Sequence, residues 1–129
     1  MAGFTTYLQQ EILDHIFGNG AYSAPTVHVG LFTAAPSDAG GGTEVSGNSY
    51  ARVNASALFG AASGTAIAND GAITFPTATG SWGTITHFGV FDASTAGNLL
   101  VWGAVTPNKA VGDGDTASFA TGELDVTLD

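Results

Sequence analysis

The sequence has no cysteine and very little positive charge, and both absences restrict what the protein can be. Without cysteine, the 129-residue chain has neither disulfides nor thiolate metal sites, so stability must come from packing, strand hydrogen bonds or neighbouring subunits. Arg52 and Lys109 are its two basic residues, against 11 acidic ones, which gives a net charge of −9. Nucleic acids and anionic membranes are bound through Lys and Arg, so neither is an expected partner.

Long hydrophobic runs and targeting signals are missing as well. No apolar run approaches the roughly 20 residues of a membrane span. The N-terminal MAGFTTYLQQEILDHIFG has no basic region of the kind that opens a secretory signal. We therefore expect synthesis in a reducing cytoplasm, and a length of 129 residues favours one domain over residues 1–129.

The segment of about residues 5–18 has the period of an α-helix. Phe4, Leu8, Ile12 and Ile16 recur at four-residue spacing and form an apolar stripe. Thr6 and the glutamine three residues later match a capping box, and glycines follow the segment, as they do at helix ends. The stripe is predicted to pack on the protein's own sheet, with a neighbouring subunit as the alternative.

From about residue 24 onward, the hydrophobic period changes from 3.6 to 2. TVHVGLF, GTITHFGVFDA, LLVWGAV and ELDVTLD alternate along their length, and turn residues such as Pro107-Asn108 separate them. The pattern places Ile85 with His87 and Phe91 on one strand face. Several strands are apolar on both faces, which predicts cover on both sides by a second sheet, the helix or another chain.

Roughly seven or eight short strands of this kind, with turn signals at fairly regular intervals, are typical of a sandwich or jelly roll. The predicted fold class is therefore all-β, a β-sandwich or jelly roll over about residues 24–129 with one N-terminal α-helix.

Side chains that carry catalysis or bind metals are few and scattered. His15 lies in the predicted helix, whereas His28 and His87 lie in different strands, and none has a second ligand at a recognised metal spacing. The acidic run GDGDTASFATGELD does not match a calcium loop, because in a loop starting at Asp113 the fifth position is Ala117 and the twelfth is Leu124. No G-x-S-x-G nucleophile motif occurs. We predict no enzyme activity, no metal and no cofactor.

The order of the segments resembles a known family. YLQQEILDHIFGNGAYSAPTVHVGLFTAAPSD, SYARV, AITFPTATGSWGTITHFGVFDA, GNLLVWGAVT and GDTASFATGELDVTLD follow one another. Nearly end to end, this order resembles a family of small virion proteins of tailed bacteriophages. Its members often carry the label tail fibre protein, and similar β-sandwich proteins are capsid cement or decoration proteins on HK97-type heads. The resemblance implies a structural role in the virion.

Three functions remain open at this point. The leading one is a cement protein, made in the bacterial host cytoplasm and bound outside the head, where acidity meets no packaged DNA. It would bind the major capsid protein and copies of itself, as a dimer or trimer. The alternative is a tail or tail-fibre component. A third is a small carbohydrate-binding or hydrolytic β-sandwich, with Trp82, Tyr50 and Tyr22 stacking on sugars.

Five residues are candidates for a subunit interface, namely Phe4, Leu8, Ile12, Arg52 and Trp82. Trp82 and Trp102 are both large enough to anchor an interface, but the apolar strand around Trp102 predicts a core position for it. Arg52 is predicted to form an ion pair with an acid of this chain or of a partner. The glycine-rich loop 36–49 is either ordered against a partner or mobile.

Overall fold

The computed structural model describes residues 2–128, and antiparallel strands make up most of its regular structure. The helix α1 spans Thr6–Ile16. In chain order the strands are β1 Gly3–Phe4, β2 His28–Ala34, β3 Thr43–Glu44, β4 Val53–Asn54, β5 Ala66–Ala68, β6 Ile73–Thr74, β7 Gly83–Phe91, β8 Leu99–Val111, β9 Ser118–Phe119 and β10 Asp125–Thr127. The all-β class with one N-terminal helix is confirmed.

Six of these strands form the main sheet. Its order is β1-β8-β7-β2-β3, and β4 pairs with β2 as well. The three long strands make the centre, with Gly30 opposite Gly89 and Gly89 opposite Trp102. Side chains of paired residues point to the same face of a sheet. The large apolar residues of neighbouring strands therefore lie side by side on one face.

Two short ladders, β5–β10 and β6–β9, supply a second layer. Ile73 and Val126 from these ladders, with Leu124 just before β10, share one buried cluster with Val29 and Val90 of the main sheet. The packing is sandwich-like, as predicted. The second layer is nevertheless two separate ladders, and the described residues form ten strands where seven or eight were expected.

The opposite face of the main sheet carries a smaller cluster. Phe32, Phe91 and Leu99 are buried there, and Trp102 packs against them. The Phe32 and Phe91 rings lie 5.9 Å apart, nearly parallel. A Cβ on Gly89 would lie 2.7 Å from Leu99 Cδ1 and 2.8 Å from Phe32 Cε1. Only glycine therefore lets this cluster rest directly on the backbone.

The predicted face of Ile85 on β7 is wrong, because the pairing register shifts next to it. His87 packs against Trp102 on the face that carries Phe91, as expected, but Ile85 is buried in the larger cluster on the other face. Between Ile85 and His87, two residue steps on β7 correspond to five on β8, and an offset by an odd number of residues exchanges the faces on which side chains lie.

The same shift changes the end of β8. Ala104 pairs with His87, whereas Lys109 pairs with Ile85, so residues 105–108 stand outside the ladder. The turn predicted at Pro107-Asn108 thus does not end the strand, which continues to Val111. A bulge of this kind accommodates a proline, which has no N–H to donate to a ladder.

The helix starts differently from the prediction. Thr5, and not Thr6, is the N-cap, and its Oγ1 accepts a 3.4 Å hydrogen bond from the Leu8 N–H. The same hydroxyl donates to two carbonyl oxygens, that of Leu99 at 2.7 Å and that of Leu100 at 3.1 Å. The buried Thr5 thereby joins the start of α1 to the start of β8.

Candidate interaction surfaces

Arg52 forms its ion pair within its own chain. Its Nη2 and Nε donate to the Glu44 carboxylate at 2.7 and 2.8 Å, which is a two-pronged pairing. The guanidinium lies over the Phe91 ring, 3.4 Å from its centroid. The Arg52 side chain is 8 % exposed. The intramolecular alternative is therefore the one found, and Arg52 is not left free for a partner's carboxylate.

The same arginine closes the loop between β7 and β8. Its Nη1 donates to the carbonyl oxygens of Ala93 at 2.9 Å and Ala96 at 2.8 Å. Within that loop, the Asp92 carboxylate accepts from the Asn98 backbone N–H at 2.7 Å. Two charged side chains thus fix residues 92–98, a segment whose small residues supply few contacts of their own.

Tyr50 extends this network towards the core. Its hydroxyl donates to Glu44 Oε2 at 2.6 Å and accepts from the Leu31 N–H at 3.0 Å. Burial, followed by the hydrogen bond to Glu44, raises the pKa of the Tyr50 hydroxyl far above its usual range. The phenol therefore stays protonated near neutral pH and remains a hydrogen-bond donor to Glu44.

The two tryptophans occupy the reverse of their predicted positions. Trp82 is 5 % exposed, packs edge-on against Tyr50 and donates from Nε1 to the Asn48 carbonyl oxygen at 2.9 Å. Its ring is therefore part of the core and is not an exposed interface anchor. Trp102 is half-buried and donates from Nε1 to the Asp38 carboxylate at 2.9 Å.

The aromatic set predicted to stack on sugars is not an exposed platform. Trp82 and most of Tyr50 are enclosed, and Tyr22 is half-buried. The Tyr22 hydroxyl is buried without a hydrogen-bond partner among the residues that the structure describes. Stacking on sugars needs accessible ring faces, so the choice of Trp82 was wrong.

Loop 36–49 is bonded to its own chain along its length. The Asp38 carbonyl oxygen accepts from the Thr6 N–H at 3.1 Å, and Asn48 Nδ2 donates to the Ser81 carbonyl oxygen at 2.9 Å. Between these points, β3 pairs with β2. These contacts give the loop an intramolecular framework, which the glycine-rich sequence did not reveal.

The helix stripe divides into a covered half and an exposed half. Leu8 is buried, and Phe4 and Ile12 are half-buried against the larger cluster. Beyond Ile12, however, Leu13, Ile16 and Phe17 are 57, 67 and 75 % exposed. We call these three residues the helix tip. The predicted packing of the whole stripe on its own sheet is wrong for Ile16, because α1 extends beyond the sheet's cover.

Next to the covered half of the helix is an apolar pocket of about 270 Å³. Its lining includes Leu8 of α1, Ile67 of β5 and Val90 of β7, together with Tyr22 and Phe59. No charged residue lines this apolar pocket. No local sequence pattern indicates this pocket, since its lining residues come from segments far apart in the chain.

The three histidines do not come together. His15 Nδ1 accepts from the Tyr22 N–H at 3.1 Å, His28 Nδ1 lies 3.1 Å from the Thr26 carbonyl oxygen, and His87 Nδ1 lies 2.8 Å from the Thr86 hydroxyl. Within residues 2–128, no group of three or more His, Asp or Glu side chains is arranged to hold a metal ion. Nor does any helix in that range have the length and apolarity to cross a bilayer.

The described residues thus combine an internal polar network around Arg52 with an exposed apolar helix end. A family model described as podophage GP4 fiber I protein gp80 matches residues 3–127. The chain belongs to this family of bacteriophage fibre proteins, and the resemblance to small tailed-phage virion proteins is confirmed. No curated protein matches the chain. The protein is a structural component of a phage virion.

Proposed function

We propose that this chain is a tail-fibre subunit that acts by binding neighbouring virion proteins and carries out no catalysis. The observation that carries the proposal is the match to a fibre protein family over residues 3–127. That name favours the tail over the head decoration that the sequence reading placed first.

The arrangement of charge supports protein partners over nucleic acid. Arg52 is engaged with Glu44 and two loop carbonyls, which leaves Lys109 as the exposed cation on a chain of net charge −9. Polyanion binding gains its free energy from neutralising phosphates with several cations. The helix tip, by contrast, offers apolar surface of the kind that marks protein contacts.

The proposal is tested by locating the protein on intact phage particles. Antibodies raised against the purified chain, checked for binding to its native form, are coupled to gold and viewed by electron microscopy. We expect gold at the tail. Gold distributed over the head would contradict the tail-fibre proposal and favour decoration. Absence of the protein from disrupted, purified particles by immunoblot would refute a virion role altogether.

A further inference from the structure

We propose that Asn19 is a site of spontaneous chemical modification, at which the side-chain amide is lost and aspartate and isoaspartate are formed. The reacting partners are the backbone nitrogen of Gly20 and water. This inference goes beyond the proposed function, and it holds wherever in the virion the chain lies.

The dipeptide Asn19-Gly20 has the composition that this reaction needs. Attack by the following residue's nitrogen on an asparagine side-chain carbonyl closes a five-membered ring, the succinimide. Glycine favours the attack because it has no Cβ to obstruct the approach and adopts more backbone conformations than other residues. Of the six asparagines in the sequence, Asn19 is the one that glycine follows.

The fold leaves both reacting groups accessible. Asn19 and Gly20 are exposed and lie between the end of α1 and the start of β2. The Asn19 N–H donates to the Asp14 carbonyl oxygen at 2.8 Å. Within residues 2–128, however, neither the Asn19 side-chain amide nor the Gly20 N–H forms a hydrogen bond. A Cβ on Gly20 would meet nothing within 4 Å beyond its chain neighbours, so the attacking nitrogen is also unobstructed.

The other asparagines are less suited to the reaction. Four of them have side-chain amides held by hydrogen bonds to their own chain, namely Asn48, Asn54, Asn69 and Asn98. Asn108 is followed by Lys109, whose side chain crowds the nitrogen that would attack. The structure thus selects Asn19 by the same criterion as the sequence.

Two aspartates are also followed by glycine, and at both of them the fold holds the attacking nitrogen. Asp70 precedes Gly71, whose N–H donates to the Leu58 carbonyl oxygen at 3.4 Å. Asp113 precedes Gly114, whose N–H donates to a carbonyl oxygen at 2.8 Å. Such an N–H must leave its acceptor before the nitrogen can attack, which adds to the barrier. These two sites are therefore internal references for protection by the fold.

The reaction has two steps and changes no oxidation state. The Gly20 nitrogen gives up its proton to a base and forms a bond to Asn19 Cγ, while the Cγ–Nδ2 bond breaks and ammonia leaves with a proton from the solvent. Water then opens the succinimide at one of its two carbonyl carbons. Opening at Cγ gives aspartate with an ordinary backbone. Opening at the backbone carbonyl carbon gives isoaspartate, whose main chain runs through the side-chain methylene.

Both products change the end of α1 beside the helix tip. Each adds a negative charge at the C-terminal end of the helix, where the backbone carbonyls already carry partial negative charge. Isoaspartate also adds one carbon to the main chain between two fixed points, the Asn19 N–H bonded to Asp14 and the Tyr22 N–H bonded to His15 Nδ1. We therefore expect modification to loosen the segment that returns from the helix.

Incubation of the purified full chain at neutral and at mildly alkaline pH tests the inference. Peptide mapping by mass spectrometry measures conversion, and electron-transfer fragmentation distinguishes isoaspartate from aspartate. We expect Asn19 to convert at least about fivefold faster than any other asparagine, the factor that corresponds to one hydrogen bond on a reacting group. The rate should rise with pH, because the nitrogen must lose its proton. Conversion at Asn19 that is no faster than at Asn48 or Asn98 would overturn the inference.

The same measurement in urea separates protection by the fold from intrinsic reactivity. Unfolding frees the Gly114 N–H, so isomerisation at Asp113 should accelerate by about fivefold. Asn19 should convert at a similar rate in the folded and unfolded chain, because its reacting groups are already free. An Asn19 rate that rises in urea as much as the Asp113 rate would show that the fold protects Asn19, and would refute the inference.

Three variants test the chemistry at the site, and circular dichroism checks that each is folded. Gly20→Val obstructs the attacking nitrogen at a position with open space around it and should slow conversion. Asn19→Gln should prevent it, since the ring would need six members. Asn19→Asp should elute with the aspartate product on anion exchange. Conversion in Gly20→Val as fast as in wild type would contradict attack by this nitrogen. Unchanged hydrogen exchange at the Tyr22 N–H of the isoaspartate form would contradict the loosening of the segment.

Discussion

Replacing Arg52 by methionine is expected to destabilise the fold by about 3 kcal/mol. Removing one partner of a buried ion pair costs about 3–5 kcal/mol, because the other charge is left unpaired. Glu44 retains 23 % side-chain exposure, so water partly compensates it and the lower end of the range applies. An average surface ion pair contributes only about 0–1 kcal/mol. The cost here is expected to be higher, because Arg52→Met also removes the stacking on Phe91 and two hydrogen bonds to loop carbonyls.

Urea unfolding measures this effect, with the fluorescence of the buried Trp82 as the signal. Lys109→Met is the matched control, because it removes the other cation at an exposed position and should change stability by less than about 0.5 kcal/mol. Adding Glu44→Gln to Arg52→Met removes the unpaired charge and should restore part of the loss. If Arg52→Met costs no more than Lys109→Met, the reasoning from burial is refuted.

Three further substitutions test neighbouring parts of the fold. Thr5→Ala should cost about 1–2 kcal/mol in thermal unfolding, and the exposed Thr6→Ala less than about 0.5 kcal/mol; equal losses would contradict the observed cap. Gly89→Ala should cost about 1–3 kcal/mol through overpacking, whereas Gly20→Ala, with open space around it, should cost nothing by the same measurement. Tyr50 keeps its proton when folded but loses it near pH 10 when unfolded, so stability should fall as pH rises above about 10. Tyr50→Phe should flatten that fall in alkaline urea titrations, and an unchanged slope would contradict the assignment.

The central strands and the helix were predictable because their signals are local. Apolar residues alternate along β2 and β7, and they recur at four-residue spacing along α1. The face of Ile85 was not predictable, since it depends on a shift in pairing with β8. A periodic pattern predicts which face each side chain of a regular strand occupies. A bulge changes that assignment for the residues beyond it, and the hydrophobic pattern does not show where the bulge lies.

The positions of the two tryptophans show why local hydrophobicity misplaces side chains. Trp102 lies in the most apolar strand, yet it sits on the face with the smaller cluster and reaches Asp38 at the surface. Trp82 has glycine and serine neighbours, but a segment 34 residues away covers its ring and accepts its hydrogen bond. Burial follows from long-range topology, which composition around a residue does not contain.

The Arg52 ion pair was predictable only in outline. With two cations and 11 acids in the chain, an acidic partner for Arg52 follows from numbers alone. The choice of Glu44 requires β3 to lie beside β2, and the two loop carbonyls are more than 40 positions away in sequence. The network is thus a product of the fold and marks where three distant segments meet.

The helix is the element in which pattern and burial disagree, and the disagreement points to function. The stripe beginning at Phe4 and Leu8 predicts burial through Ile16, but cover ends near Ile12, and the helix tip faces solvent. Full burial of a Leu, Ile or Phe side chain contributes about 1.5–3 kcal/mol, and these three forgo the larger part of it. Departures from an otherwise consistent pattern tend to lie at functional sites. Under the proposed function, contact with a neighbouring virion protein would complete the burial that this chain alone leaves unfinished at the helix tip.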